Sequence, residues 1–265
     1  MFPRCLAILL VALATSSPAA MIIDDFGAGA VTLRREVGQL RITELQSGLP
    51  TASVIGGSRS FSLGARDYFG TGATGGVTLN VDTTFGELEY TNDPGITAVN
   101  FEIRYGSIDE PLNSNLAMGG NDRLRFGFKW AAFEPTDDRF LAFDVRVETE
   151  HDTLGTWGGY GSARIPNQAS PFVVDVLFKD IQQGQPYALD FSRVVFLYFG
   201  SGNGRLPGDF VLDYVVAVPE PTTNVALGIG AMLVGSSRRR GGRRRASPRF
   251  FENAYRNNQT RARTG

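Results

Sequence analysis

Few residue combinations in this chain have the types and spacing that chemistry requires. Glu148, Glu150, His151 and Asp152 form one polar cluster. An imidazole beside carboxylates gains basicity and can act as a general base. His151, however, is the only histidine in 265 residues, so no second imidazole can complete a metal site. The cluster follows an alternating apolar run and reads as a solvated turn. Thr156-Trp157-Gly158-Gly159-Tyr160-Gly161 offers different chemistry. Two aromatic rings in a glycine-rich loop could form a flat platform for a sugar ring, with nearby carboxylates accepting its hydroxyl hydrogen bonds. The competing reading is that Trp157 and Tyr160 pin the loop to the body, with the glycines supplying left-handed backbone. Trp157 and Tyr160 are the candidate ligand-binding residues, and no catalytic residue is assigned.

Other reaction classes lack their signatures. Glycoside hydrolysis needs two carboxylates across one cleft; the chain has 27 Asp and Glu, but no spacing pairs two of them. The chain contains no Gly-x-Ser-x-Gly elbow, phosphate-binding Walker loop or His-based zinc-peptidase motif. The glycine tracts Gly70–Gly76 and Gly200–Gly204 fall between strand-like runs rather than at helix starts, which argues against phosphate binding. Cys5 is the only cysteine, so an intramolecular disulfide is excluded. The expectation is therefore a non-enzyme without a bound metal.

The formal charge of −1 conceals a segregation. Residues 21–237 carry 15 basic and 26 acidic residues, a net −11, whereas 238–265 carry ten Arg and one acid, a net +9. Such asymmetry implies separate roles for body and tail. An acidic body is a poor partner for nucleic acid.

Both ends read as addresses. Arg4, the apolar run Leu6–Ala14 and the small residues Ser17-Pro18-Ala19-Ala20 form a signal peptide over residues 1–20, to be read by an export translocase and a signal peptidase. At the other end, Val218-Pro219-Glu220-Pro221 follows a strand-like run, and its prolines end the folded body at about Ala217. An apolar run, Val225–Val234, leads to Arg238, Arg239, Arg240, Arg243, Arg244 and Arg245, a stop-transfer pattern with arginines on the cytoplasmic side. This order of Pro-Glu-Pro, hydrophobic segment and Arg cluster over 218–245 resembles the PEP-CTERM sorting signal of bacterial exopolysaccharide-associated surface proteins. The resemblance implies that an exosortase-type membrane peptidase recognises Pro219, Glu220 and Pro221, removes a short transmembrane helix and delivers the protein outward. Two features depart from the pattern. Val225–Gly235 reaches only about 16 Å as helix, against a hydrocarbon core of ~30 Å, and a disordered basic tail, 246–265, continues past the cluster.

The body, 21–217, alternates with period two. Val99, Phe101, Ile103 and Tyr105 form one apolar set, Leu124, Phe126, Phe128 and Trp130 a second, and Leu141, Phe143, Val145 and Val147 a third. Each set alternates with polar residues, as in antiparallel strands with one buried face. Phe172–Phe178 and Val194–Phe199 are more continuously apolar and read as central strands covered on both faces. Turn clusters such as Asn92-Asp93-Pro94-Gly95 and Gly119-Gly120-Asn121-Asp122 separate the runs. About ten short strands predict an all-β, single antiparallel β-sandwich of jelly-roll type. Met21–Phe26 and Phe210–Tyr214 resemble the first and last strands of galactose-binding-like jelly rolls, whose terminal strands pair. Such pairing would let Asp24, Asp25 and Asp213 converge on Ca²⁺, which takes several oxygen ligands. The favoured reading is that they cap turns.

The leading expectation is an exported structural or matrix protein, transiently anchored in the inner membrane and then released to the cell surface or an extracellular polysaccharide layer. A carbohydrate-binding module is second and a secreted polysaccharide-acting hydrolase third.

Overall fold

The computed structural model describes residues 20–65, 76–93, 99–107, 109–133, 141–151, 155–183, 188–201 and 208–220. All belong to one compact unit, Met1–Glu220. Apart from Ala20, the signal segment 1–20 lies outside the described residues. So do Pro221, the apolar run Val225–Val234, the arginine cluster and the tail. Among the described residues, no helix is long and apolar enough to cross a membrane.

Among the described residues, two antiparallel sheets of seven strands form the body, which is all-β and sandwich-like. The first runs, in spatial order, β11 (Phe172–Leu177), β8 (Asn121–Phe133), β14 (Gly208–Pro219), β6 (Glu87–Asn92), β5 (Val77–Asp82) and β2 (Val31–Arg35), with β1 (Met21–Asp24) also paired to β14. The second runs β12 (Gln182–Gln183), β10 (Gly155–Ile165), β9 (Leu141–His151), β13 (Val194–Ser201), β7 (Val99–Tyr105), β4 (Arg59–Ala65) and β3 (Arg41–Gln46). Met21 lies opposite Ala217 and Ile22 opposite Val216, so the first and last strands pair as the sequence suggested.

Period-two alternation dictates which side chains meet between the sheets. Phe101, Phe143 and Phe199 point in from the second sheet; Tyr90, Phe126, Phe128 and Phe210 point in from the first, and all are buried. Phe126 meets Phe143 edge-on at 4.7 Å and Phe199 at 5.4 Å, while Phe101 lies 5.3 Å from Phe210. Such offset and edge contacts are the favoured aromatic geometries.

Four expectations need correction. The run at Phe172 is not central: β11 is the edge strand of its sheet, with Val173 53% exposed. Apolar side chains alone do not distinguish an edge from a centre. Trp130 does not continue the inward set of β8. Opposite it, Leu212 pairs with Phe128 and Val211 with Trp130, leaving Lys129 as an extra residue. This bulge inverts the alternation, so Ala131 is buried and Trp130 only half-buried. The folded chain runs past Ala217 to Pro219, which lies opposite Asn121 at the last position of β14, where a missing N–H breaks no ladder. The glycine-rich segment at Thr156 is strand, paired in unbroken register with β9 from Gly155 to Ile165.

Candidate functional site

The carboxylates considered for Ca²⁺ go separate ways. Asp24 is fully buried: both of its oxygens accept from Arg59 Nη1 (2.6 and 2.7 Å), and they also accept from Tyr105 Oη (2.7 Å) and the Phe26 amide (2.8 Å). Burial pushes the Asp24 carboxyl up, against the pull of Arg59, Tyr105 and the Phe26 amide. Asp25 turns to the Gly27 amide (2.9 Å), and Asp213 faces Lys129 (3.4 Å). Among the described residues, no group of three or more His, Cys, Asp or Glu could hold a metal ion. In the polar cluster, Glu148 takes Arg146, Glu150 takes Arg193 (2.9 Å) and His151 lies opposite Gly155. Asp152 lies outside the described residues.

Trp157 and Tyr160 are three residues apart on a regular strand, so their side chains leave β10 on opposite faces. The structure does not bring them together. Trp157 sits half-buried on the inward-facing side with Gly159 and Gly161, whereas Tyr160 stands on the outer face, 52% exposed.

On that outer face Tyr160 lines a cleft of about 630 Å³, within the range of small-ligand sites. Two further aromatics, Phe196 and Tyr198, come from β13, and Arg146, Asp144 and Glu148 from β9. Glu102 and Arg104 of β7 close the far side, with Ser107 and Asp109 just beyond that strand. Register explains the assembly. Tyr160 lies opposite Arg146, Arg146 opposite Tyr198, and Tyr198 opposite Arg104. Aromatic and guanidinium groups therefore alternate in one row across four strands. Arg146 lies 5.3 Å from the Tyr160 ring centroid and Arg104 lies 6.0 Å from that of Tyr198. With one strand between them, the tyrosines stand about 10 Å apart at ~4.8 Å per strand.

Carboxylates hold the arginines in place. Arg104 donates to Glu102 (2.5 Å), which also accepts from Arg41 (2.7 Å), and Arg146 pairs with Glu148. One register step along, Gly200 separates Asp144 from Glu102. A Cβ there would lie 2.2 Å from the Phe101 carbonyl oxygen, so only glycine lets β13 approach β7 this closely. The face thus offers flat apolar rings beside fixed donors and acceptors, the combination that a sugar's apolar ring face and hydroxyl rim require.

Tyr160 was legible in the sequence; its companions were not. Phe196 and Tyr198 lie in a run whose apolar character suggested cover on both sides. They are in fact half-buried on the outer face, alternating with buried Val195, Leu197 and Phe199. Residue type gave no signal, because the inward positions that alternate with Phe196 and Tyr198 are Leu197 and a further aromatic, Phe199.

Neither a scan against protein-family models nor a search of curated proteins found a match. Solved structures similar to the chain include the family 11 carbohydrate-binding module of the cellulosomal cellulase Lic26A-Cel5E of Clostridium thermocellum. The identity is 14% and the TM-score 0.38, over 77% of this chain and 96% of that one. The family 11 module from the same organism in complex with a β-1,3-1,4-mixed-linked tetrasaccharide is similar at 13% identity and TM-score 0.37, over 77% and 98% of the two chains. At this level of similarity the residues of the face itself carry the functional reading.

Proposed function

We propose that this protein binds polysaccharide on the outer face of its second sheet and does so outside the cell. The observation that carries the reading is the row Tyr160–Arg146–Tyr198–Arg104 at the floor of the cleft. Sequence alone favoured a structural matrix role, with glycan binding second; the cleft reverses that order. In the cleft Glu102 pairs with Arg104 and Glu148 with Arg146, an arrangement that fixes polar groups beside the rings as a binding face requires. Export and sorting rest on the signal segment 1–20, on Pro219-Glu220-Pro221 and on the apolar and arginine segments after them. Together these describe a glycan-binding surface protein of the exopolysaccharide layer.

Affinity electrophoresis against a panel of soluble polysaccharides tests the binding reading. Saturable retention by at least one polymer is expected. Tyr198→Ala and Tyr160→Ala should each weaken it about 30-fold, the equivalent of ~2 kcal/mol for truncating an aromatic anchor. Equal retention of both variants, or no retention by any polymer, overturns the reading. Sorting is tested by mass spectrometry of the mature termini with cell fractionation; an intact C-terminus in the cytoplasm refutes it.

A further inference from the structure

The row of facing residues does not stop at Arg104. Ser60 of β4 lies opposite Arg104, and Leu45 of β3 lies opposite Ser60. These two residues line a second cleft of about 310 Å³, with Arg104, Ser107 and Asp109 common to both clefts. The shared wall is set by the turn after β7. Ser107 donates its amide to the Glu110 carbonyl (2.8 Å), the Glu110 amide returns to Ser107 Oγ (2.9 Å), and the Leu112 amide anchors on the Val195 carbonyl (2.8 Å). One register line therefore crosses six strands, from Tyr160, 52% exposed, to Leu45, 67% exposed. At ~4.8 Å per strand it is about 24 Å long, several times the width of one sugar ring.

Resting on the glycan-binding reading, the geometry points to a linear polysaccharide free of acidic groups, bound along an internal stretch that lies across the strands. The second cleft, around Leu45 and Ser60, is a further subsite of the same groove. A single sugar or a chain end would use only part of a line that has Tyr160 at one end, Leu45 at the other, and Arg146, Tyr198, Arg104 and Ser60 between. Chain charge is restricted by the lining. Five carboxylates, Glu102, Asp109, Glu110, Asp144 and Glu148, line the two clefts together with Arg104 and Arg146, while Arg59, which also reaches the second cleft, is taken by Asp24. This excess of carboxylate, within a segment 21–237 of net −11, repels a polyanion.

The test uses the full chain and a panel of neutral polymers (glucan, mannan, galactan, xylan). A size ladder of oligosaccharides from whichever binds best and a polyuronate complete the set. Affinity should rise along the ladder beyond the disaccharide, and the polyuronate should not bind at low salt. Ser60→Trp, which fills the second cleft, and Leu45→Ser, at an exposed position, should each weaken polymer binding about tenfold, ~1.4 kcal/mol. Both should leave the shortest binding oligosaccharide unaffected, which also shows that the variants are folded. Affinity that saturates at the disaccharide overturns the extended groove, as does wild-type polymer affinity in both variants. Polyuronate binding as tight as that of the neutral chain overturns the charge assignment. If the tyrosine variants lose binding while the Ser60 and Leu45 variants keep it, the glycan site stands without its second subsite. If no polymer binds, the glycan-binding reading itself fails.

Discussion

Removing the Asp24 carboxylate should destabilise the body more than any surface ion pair could. Asp24 and Arg59 both have 0% exposed side chains, and the guanidinium holds both carboxylate oxygens through one nitrogen at 2.6 and 2.7 Å. In Asp24→Leu, Arg59 keeps Gln46 Oε1 (2.9 Å) and the carbonyls of Ala28 and Gly29, and lies 5.0 Å from the Phe61 ring. Those contacts satisfy donors but do not neutralise the charge, and Tyr105 Oη loses its acceptor as well. Breaking a buried pair from one side costs about 3–5 kcal/mol, which for a body of this size lowers Tm by roughly 6–20 °C. Urea denaturation is the suitable assay, since an unchanged slope with a lower midpoint isolates a stability effect. The double variant Asp24→Leu/Arg59→Met supplies the decisive comparison. With both charges gone, most of the loss should return, because paired apolar replacements are often neutral or stabilising. A single variant that loses less than about 1 kcal/mol would refute this account of the buried pair. So would a double variant whose loss is the sum of the two single losses.

Two further outcomes follow from the sheets. Arg125 grips Asp175 with two 2.8 Å hydrogen bonds, and these bonds, with the Arg125 and Arg123 charges, hold the Asp175 carboxyl below its usual value of 3.8. A lowered folded-state value stabilises above the unfolded one and is lost as pH falls through the folded one. Asp175→Asn should therefore flatten the loss of stability below about pH 4, and an unchanged acid limb in pH-dependent denaturation would contradict this. Gly200→Ala should cost about 1–3 kcal/mol as β13 is pushed from β7, and should weaken glycan retention with it; retention at the wild-type level would show that the cleft tolerates the shift.

Much of the fold was legible because alternation is local. Phe101, Ile103 and Tyr105, or Phe143, Val145 and Val147, announce an inward face from their own spacing, and the structure buries each of them. The pairing of the first and last strands was also anticipated. What could not be read depends on neighbours distant in sequence. The edge position of β11 follows from sheet order, and the turned-out Trp130 follows from a bulge created against β14. The candidate site shows the same division. Tyr160 carried a signal through its residue type. Its place beside Tyr198 exists only because β9 registers both on Arg146, one from each side. The pairing of Trp157 with Tyr160 failed for a local reason: three residues span half a loop but opposite faces of a strand.

The antiparallel pairing of Met21 with Ala217 and Ile22 with Val216 also has a mechanical meaning. Because β1 and β14 pair antiparallel with Met21 beside Ala217, tension drawn between Met21 and Pro219 does not shear the sheets. It peels β1 away from β14 one hydrogen bond at a time, the direction in which a ladder resists least. Only three residues, Met21, Ile22 and Ile23, precede Asp24 in β1, and there the fastening changes from backbone ladder to the buried Arg59 and Tyr105 contacts. The inner end of β1 should therefore act as a rip-stop: a tug on either end frays Met21 and Ile22 first, and the buried contacts of Asp24 oppose its spread towards the face bearing Tyr198.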